Sequence, residues 1–182
     1  MAASQTGQSQ PRLFRDAVAA LRTTVPPHHI TVEEIDAPAS IAPHTFALAA
    51  ALDTDGDVTG RLVLLHDPDG EPGWEGTLRL VTFVSAHIDE KTALDSRLST
   101  NAWAWFTEGL RRHRAGYTAA GGTVTTTTST PMGGLRDSRV VEATLEIRAS
   151  WTPSEDTMPA QLRAWCELLW SAAGSPVGQP ST

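Results

Sequence analysis

The stretch from Val58 to Ile88 limits the possible folds more than any other part of the chain. An apolar run, RLVLLH, is followed by the turn-rich segment DPDGEPGWEG and a second apolar run, TLRLVTFVSAHI. β-Prone runs separated by Pro and Gly predict a long antiparallel hairpin. Residues from Leu62 to Leu65 are consecutively apolar. In the returning run Leu78, Leu80, Val84 and Ile88 share one parity, with Val81 and Phe83 on the other. Apolar side chains on both faces predict a hairpin at the centre of a sheet and covered on both sides.

The flanking segments supply elements to dock on it. Phe14, Ala17, Val18, Leu21 and Val25 fall at helical spacing, predicting an amphipathic helix from Pro11 to Thr23 that Pro26 and Pro27 end. Ile30 to Ile35 is β-branched enough for a strand, and the prolines of DAPASIAP interrupt it. From Thr45 to Leu52, Phe46, Leu48, Ala50 and Leu52 alternate with Thr45, Ala47, Ala49 and Ala51. That pattern predicts a strand whose second face is small and suited to close approach by a helix, although alanine leaves a helix open.

A second helix is predicted from Thr100 to Arg114, with Ser99, Thr100 or Asn101 as its cap and Trp103, Phe106 and Leu110 as its apolar stripe. Threonine-rich Tyr117 to Thr130 predicts a strand. So does Val140 to Trp151, where Val141, Ala143, Leu145, Ile147, Ala149 and Trp151 alternate with polar residues. Leu162, Trp165, Cys166, Leu169, Trp170 and Ala173 form the apolar face of a last helix, capped by Thr157 or Asp156 and with Pro159 in its first turn. The expectation is α+β: a mainly antiparallel sheet of about six strands with N-terminal, middle and C-terminal helices packed on it. Residues 11–174 would form this single domain, between a disordered leader, 1–10, and a disordered tail, 175–182.

The totals narrow the function classes. A chain of 182 residues with 40% hydrophobic content supports one core. The formal charge is −7, and Lys91 is the single lysine, so nucleic acid is an unlikely partner for want of clustered positive charge. Cys166, the only cysteine, rules out an intramolecular disulfide and a multi-cysteine zinc site, which fits a reducing compartment. The opening MAASQTGQSQ lacks the features of a signal peptide, and no apolar run approaches the roughly 18 residues that span a bilayer. A cytoplasmic protein without a membrane segment is expected.

Few residues suggest chemistry. The hairpin end gathers His66, Asp67, Asp69, Glu71 and Glu75, ligand types that suit a hard cation. The same residues beside Pro68, Gly70, Pro72 and Gly73 also describe an ordinary solvated turn, and the spacing fails the calcium-loop pattern. His28, His29, His44, His66 and His87 lack HxH or HExxH spacing. Cys166 lies on an apolar helical stripe, where a small hydrophobe is expected before a nucleophile. Trp74 and Trp105 are the aromatics expected to be partly exposed, either as an interface or as covers for sheet edges. Arg111, Arg112 and Arg114 form a local basic cluster. No phosphate loop or GxSxG motif occurs. No cofactor is implied.

The strings FRDAVAALR, VEEIDAPASIAP, GRLVLLHDPDGEPGWEGTLRLVTFV and VEATLEIRASWTP, in this order and followed by a tryptophan-bearing helix, resemble the actinobacterial domain-of-unknown-function family number three thousand. The likeness runs from about Arg12 to Gly174. It implies an actinobacterial cytosolic protein and carries no catalytic residue with it. The expectation for function is a non-catalytic binding or adaptor domain with a protein partner. The alternative is a small metal-assisted hydrolase or transferase centred on His66, Asp67, Asp69 and Glu75.

Overall fold

The computed structural model describes residues 10–27, 30–52, 58–133 and 142–174. The order of elements is helix α1 (Arg12–Thr23), strands β1 (Ile30–Ile35), β2 (His44–Leu52), β3 (Val58–His66) and β4 (Leu78–Ile88), helices α2 (Glu90–Ala93) and α3 (Leu98–Arg112), strands β5 (Tyr117–Ser129) and β6 (Glu142–Pro153), and helix α4 (Met158–Ala172). The expected α+β architecture is what forms. Six strands make one antiparallel sheet in the order β1-β2-β3-β4-β6-β5, so the β3–β4 hairpin holds the two central positions. The alanine-rich segment is strand β2, paired with β3 from His44 opposite His66 to Leu52 opposite Val58. Leaders, tails and the histidines His28 and His29 lie outside the described residues, as do Val140, Val141 and the DTDGD turn.

All three long helices pack on one face of the sheet. On that face lie Phe46, Leu48, Leu62, Leu64, Leu80, Val84, Leu145 and Ile147, each 6% exposed or less. A single hydrophobic cluster joins them to Phe14 and Leu21 of α1, Phe106 and Leu110 of α3, and Leu162, Trp165 and Leu169 of α4. Among the described residues the covering expected on both sides of the hairpin is only partial: on the second face Leu65 is buried near the loop end, with Ala47 of β2 beside it. Val63, Val81 and Phe83 point to the other face and stay half-exposed. One buried face of six strands already satisfies a chain of this size, and its helices are used up there.

Helix α4 is buried around most of its girth, beyond the single stripe its spacing predicted: Ala164, Leu168, Ser171 and Ala172 are buried as well. The reason is its position, across the middle of the sheet with α1 and α3 on its flanks. Two glycines permit that approach. A Cβ at Gly60 on β3 would lie 3.0 Å from the Trp165 ring, and one at Gly109 on α3 would lie 3.2 Å from the Ala164 carbonyl oxygen. Polar groups caught under α4 are paired, as burial requires. The Trp165 indole N–H donates to the Thr82 hydroxyl (2.8 Å), which donates to the Arg61 carbonyl (2.8 Å). Gln161, fully buried, accepts from the Trp151 indole (2.9 Å) and donates to the Gly116 carbonyl (2.7 Å) and the Thr157 hydroxyl (2.9 Å). Glu167 binds Arg112 and, at 2.6 Å, His113, which ties α4 to the end of α3.

Two helix starts differ from expectation. Helix α3 begins at Leu98, ahead of Ser99, Thr100 and Asn101. Asp95 closes the preceding turn by accepting from the Arg97 amide (2.9 Å), which lets Leu98 enter the core. Thr157 precedes α4 but caps no helix amide; its hydroxyl donates to the Ser154 carbonyl and accepts from Gln161.

Candidate functional site

The hairpin loop 67–77 is a compact turn. The Asp67 amide donates to the Thr77 carbonyl (3.0 Å), and the Asp67 carboxylate accepts from the Asp69 amide (3.0 Å), an Asx-type turn that occupies the side chain locally. Glu75 takes a left-handed backbone conformation (φ 57°) and is exposed, as is Glu71. Trp74 is half-buried, and its carbonyl accepts from the Thr152 hydroxyl, drawing the loop onto β6. Among the described residues no group of three or more His, Cys, Asp or Glu side chains converges as a cation site. His66 does not join the loop carboxylates. It is 3% exposed on the helix-covered face, its ring 5.6 Å from that of His44 and 6.1 Å from that of Phe14.

His66 Nδ1 is buried without a hydrogen-bond partner. Burial pushes its pKa down and the neighbouring His44 pushes it further, while Asp67 and Glu155 oppose the shift. A depressed folded pKa means that the unfolded chain binds more protons between that value and the ordinary imidazole value of about 6.5. Stability is therefore full above that window, falls as the pH drops through it, and levels off below. Replacing His66 with Leu is expected to flatten the acid limb of a urea-melt stability profile relative to wild type. Parallel profiles for the two proteins would refute this assignment.

The remaining sequence candidates resolve into structural roles. Cys166 is fully buried on α4, and burial pushes its thiol up to about 12, leaving no thiolate for nucleophilic work. Arg111 pairs with Glu108 (2.7 Å) and Arg112 with Glu167, so the basic cluster is largely neutralised. Trp105 is half-buried and packs against the core. Trp103 is half-exposed beside β5 instead of lying deep in the stripe, a place taken by Leu98, Ala102, Phe106 and Leu110.

Sequence reasoning reads the polar face of the Val140–Trp151 strand as solvated or a binding surface, but it misses that the same face stays open across the central hairpin among the described residues. Its middle row, read through the strand registers, is Glu33, Ala49, Arg61, Phe83, Arg148 and Thr123. The small side chains of β2 make a valley between β1 and the β3–β4 hairpin. A hollow of about 670 Å³ lies there, lined by Thr31, Glu33, Ala49, Ala51, Arg61 and Phe83 among others. Glu33 and Arg61 are exposed on opposite sides of it. Beyond the valley, Arg148 sits 5.2 Å over the Phe83 ring and 3.2 Å from Glu146. Arg79 spans the same face at its other end, donating to Ser150 (2.7 Å), Thr152 (3.3 Å) and the Ala119 carbonyl (2.8 Å). The signal was present in the sequence as Ala47, Ala49 and Ala51, a face already recognised as small.

The family model described as "Protein of unknown function (DUF3000)" matches residues 10–180. The chain belongs to this family. No curated protein and no solved structure matches it. The DUF3000 match runs over every described element, so α1 and α4 are parts of the family domain alongside the sheet. Among the described residues, no helix of the DUF3000 domain is long and apolar enough to cross a membrane.

Proposed function

We propose that this DUF3000 domain is a non-catalytic binding module that holds a protein partner against the uncovered face of its sheet. The observation that carries the reading is that face itself: Val63, Val81 and Phe83 half-exposed at the sheet centre, next to a 670 Å³ hollow with an alanine floor. Exposed apolar surface in a concave setting with charged walls is the usual form of a protein interface. Strands β1 and β3 are two strand spacings apart, about 10 Å, which matches the width of a helix. An amphipathic helix laid along β2 would bring its backbone close to Ala49 and Ala51, with Glu33 and Arg61 facing its two flanks. The reading includes a cytoplasmic setting, in which the lone thiol of Cys166 stays reduced.

Affinity capture with the wild-type chain and with an Ala49→Trp variant tests this. A bulky ring at Ala49 fills the valley while leaving the helix-covered core untouched. The expected result is a partner recovered by wild type and lost by the variant at unchanged melting temperature. Retention of the partner by Ala49→Trp, or recovery of none by wild type, would overturn the proposal.

A further inference from the structure

The two edges of the sheet are built differently. Edge strand β1 is six residues long, carries Glu33 and Glu34, and has prolines on both sides, Pro26 and Pro27 before it and Pro38 after it. Short length, charge and proline are the usual means by which proteins stop an edge from pairing with another chain. Edge strand β5 has none of these. It is thirteen residues long, YTAAGGTVTTTTS, with no charged residue and no proline. A bulge between Thr118 and Gly121 disturbs its first residues; from Gly121 to Ser129 the register against β6 is unbroken. No residue of β5 is buried, and β6 is its sole strand partner among the described residues. The outward N–H and C=O groups of this run are strong hydrogen-bonding groups presented as a template.

We propose that β5 pairs antiparallel with β5 of a second copy of this chain, along Gly121–Ser129 and about a two-fold axis near Thr125, to join the two sheets edge to edge. A two-fold interface must be self-complementary, because each residue meets its symmetry mate or the mate of a neighbour. The run TVTTT from Thr123 to Thr127 meets that demand: about Thr125 it sets Thr opposite Thr or Val, pairs that suit adjacent strands, and beyond it Thr128 and Ser129 meet Gly122 and Gly121, which add no bulk. The chain carries a net charge of −7, and an uncharged strand is the surface on which two such chains approach with least repulsion. On β6 beside it, the charges that face the uncovered side at this level, Glu146 and Arg148, neutralise each other at 3.2 Å. On the helix side, a recess of about 350 Å³ between α3 and β5 is lined by Ser99, Thr100, Trp103, Gly122 and Val124. Side chains of an added strand alternate between the two faces, so those on the helix side would enter this recess.

The test uses the exposed position Thr125, whose substitution leaves the monomer core alone. In sedimentation equilibrium from micromolar to millimolar concentration the wild-type chain is expected to form a dimer. Thr125→Lys and Thr125→Glu, each placing like charges opposite one another across the two-fold axis, are expected to sediment as monomers, Thr125→Lys with an unchanged melting temperature and Thr125→Glu with a slightly lower one because it faces Glu146 of its own β6. An equimolar mixture of the two variants should recover the dimer, since Lys then faces Glu. A monomeric wild-type chain over the whole range would overturn the proposal, even if it captured an extended peptide of another protein. So would dimers that survive both substitutions, or a mixture that stays monomeric. Because Thr125 and Ala49 lie on different parts of the sheet, failure here leaves the binding role of the uncovered face standing.

Discussion

Replacing Gln161 with Ala is expected to lower the stability of the domain by about 4 kcal/mol, which is a large part of what a domain of this size usually has. The side chain is fully buried and makes three hydrogen bonds, to Trp151, Gly116 and Thr157. Its loss strands the Trp151 indole N–H in the interior, at about 1–3 kcal/mol for an orphaned group, and leaves a cavity as well, while the Gly116 carbonyl keeps the Ser154 amide at 2.8 Å. Gln161→Met, which fills the space without the polar ends, separates the two contributions. It should recover the cavity part alone and remain well below wild type. Urea unfolding of the three proteins gives the comparison; a Gln161→Ala cost near zero would mean that this network is not formed.

Trp165→Ala is expected to cost about 4–5 kcal/mol, at the upper end for removal of a buried aromatic. Trp165 is 2% exposed, lies over Gly60 of β3, and donates to Thr82 in β4, so one side chain joins α4 to both strands of the central hairpin. Trp165→Phe keeps most of the packing and removes the donor, and should cost about 1–2 kcal/mol. Combined with Thr82→Val it forms a double-mutant cycle in which the two losses are expected to be less than additive, because both break the same hydrogen bond. Strict additivity would show that the indole and the hydroxyl act independently.

The legible parts of the fold were those in which one physical signal dominates. Consecutive apolar residues between Leu62 and Leu65, the Pro-Gly turn after them and the parity of Leu78, Leu80 and Val84 placed the hairpin at the sheet centre. Strict alternation made β6 unmistakable. Alternation also identified β2, but the pattern reports only that one face is small. It does not say what covers that face, and the helix expected there is absent among the described residues.

Helix α4 shows the same limit: its apolar spacing gave one stripe, whereas its place between α1 and α3 buries Ser171, Gln161 and Glu167 too. Which indole or guanidinium satisfies such a polar group depends on contacts between elements far apart in sequence, and local periodicity does not encode them. For the candidate site, chemistry read from residue type was misleading in one respect. His66 and Asp67 are neighbours in sequence, but a strand sends successive side chains to opposite faces. The imidazole goes into the core under Phe14 while the carboxylate folds onto its own turn.

The position of α4 bears on how the protein is made. The sheet needs its last element, because α4 covers the central hairpin and supplies Gln161, Trp165 and Leu169 to the single core. A chain emerging from the ribosome therefore exposes the greasy middle of its sheet until residue 172 has left the exit tunnel. A product that stops before Met158 has no means of closing the interior.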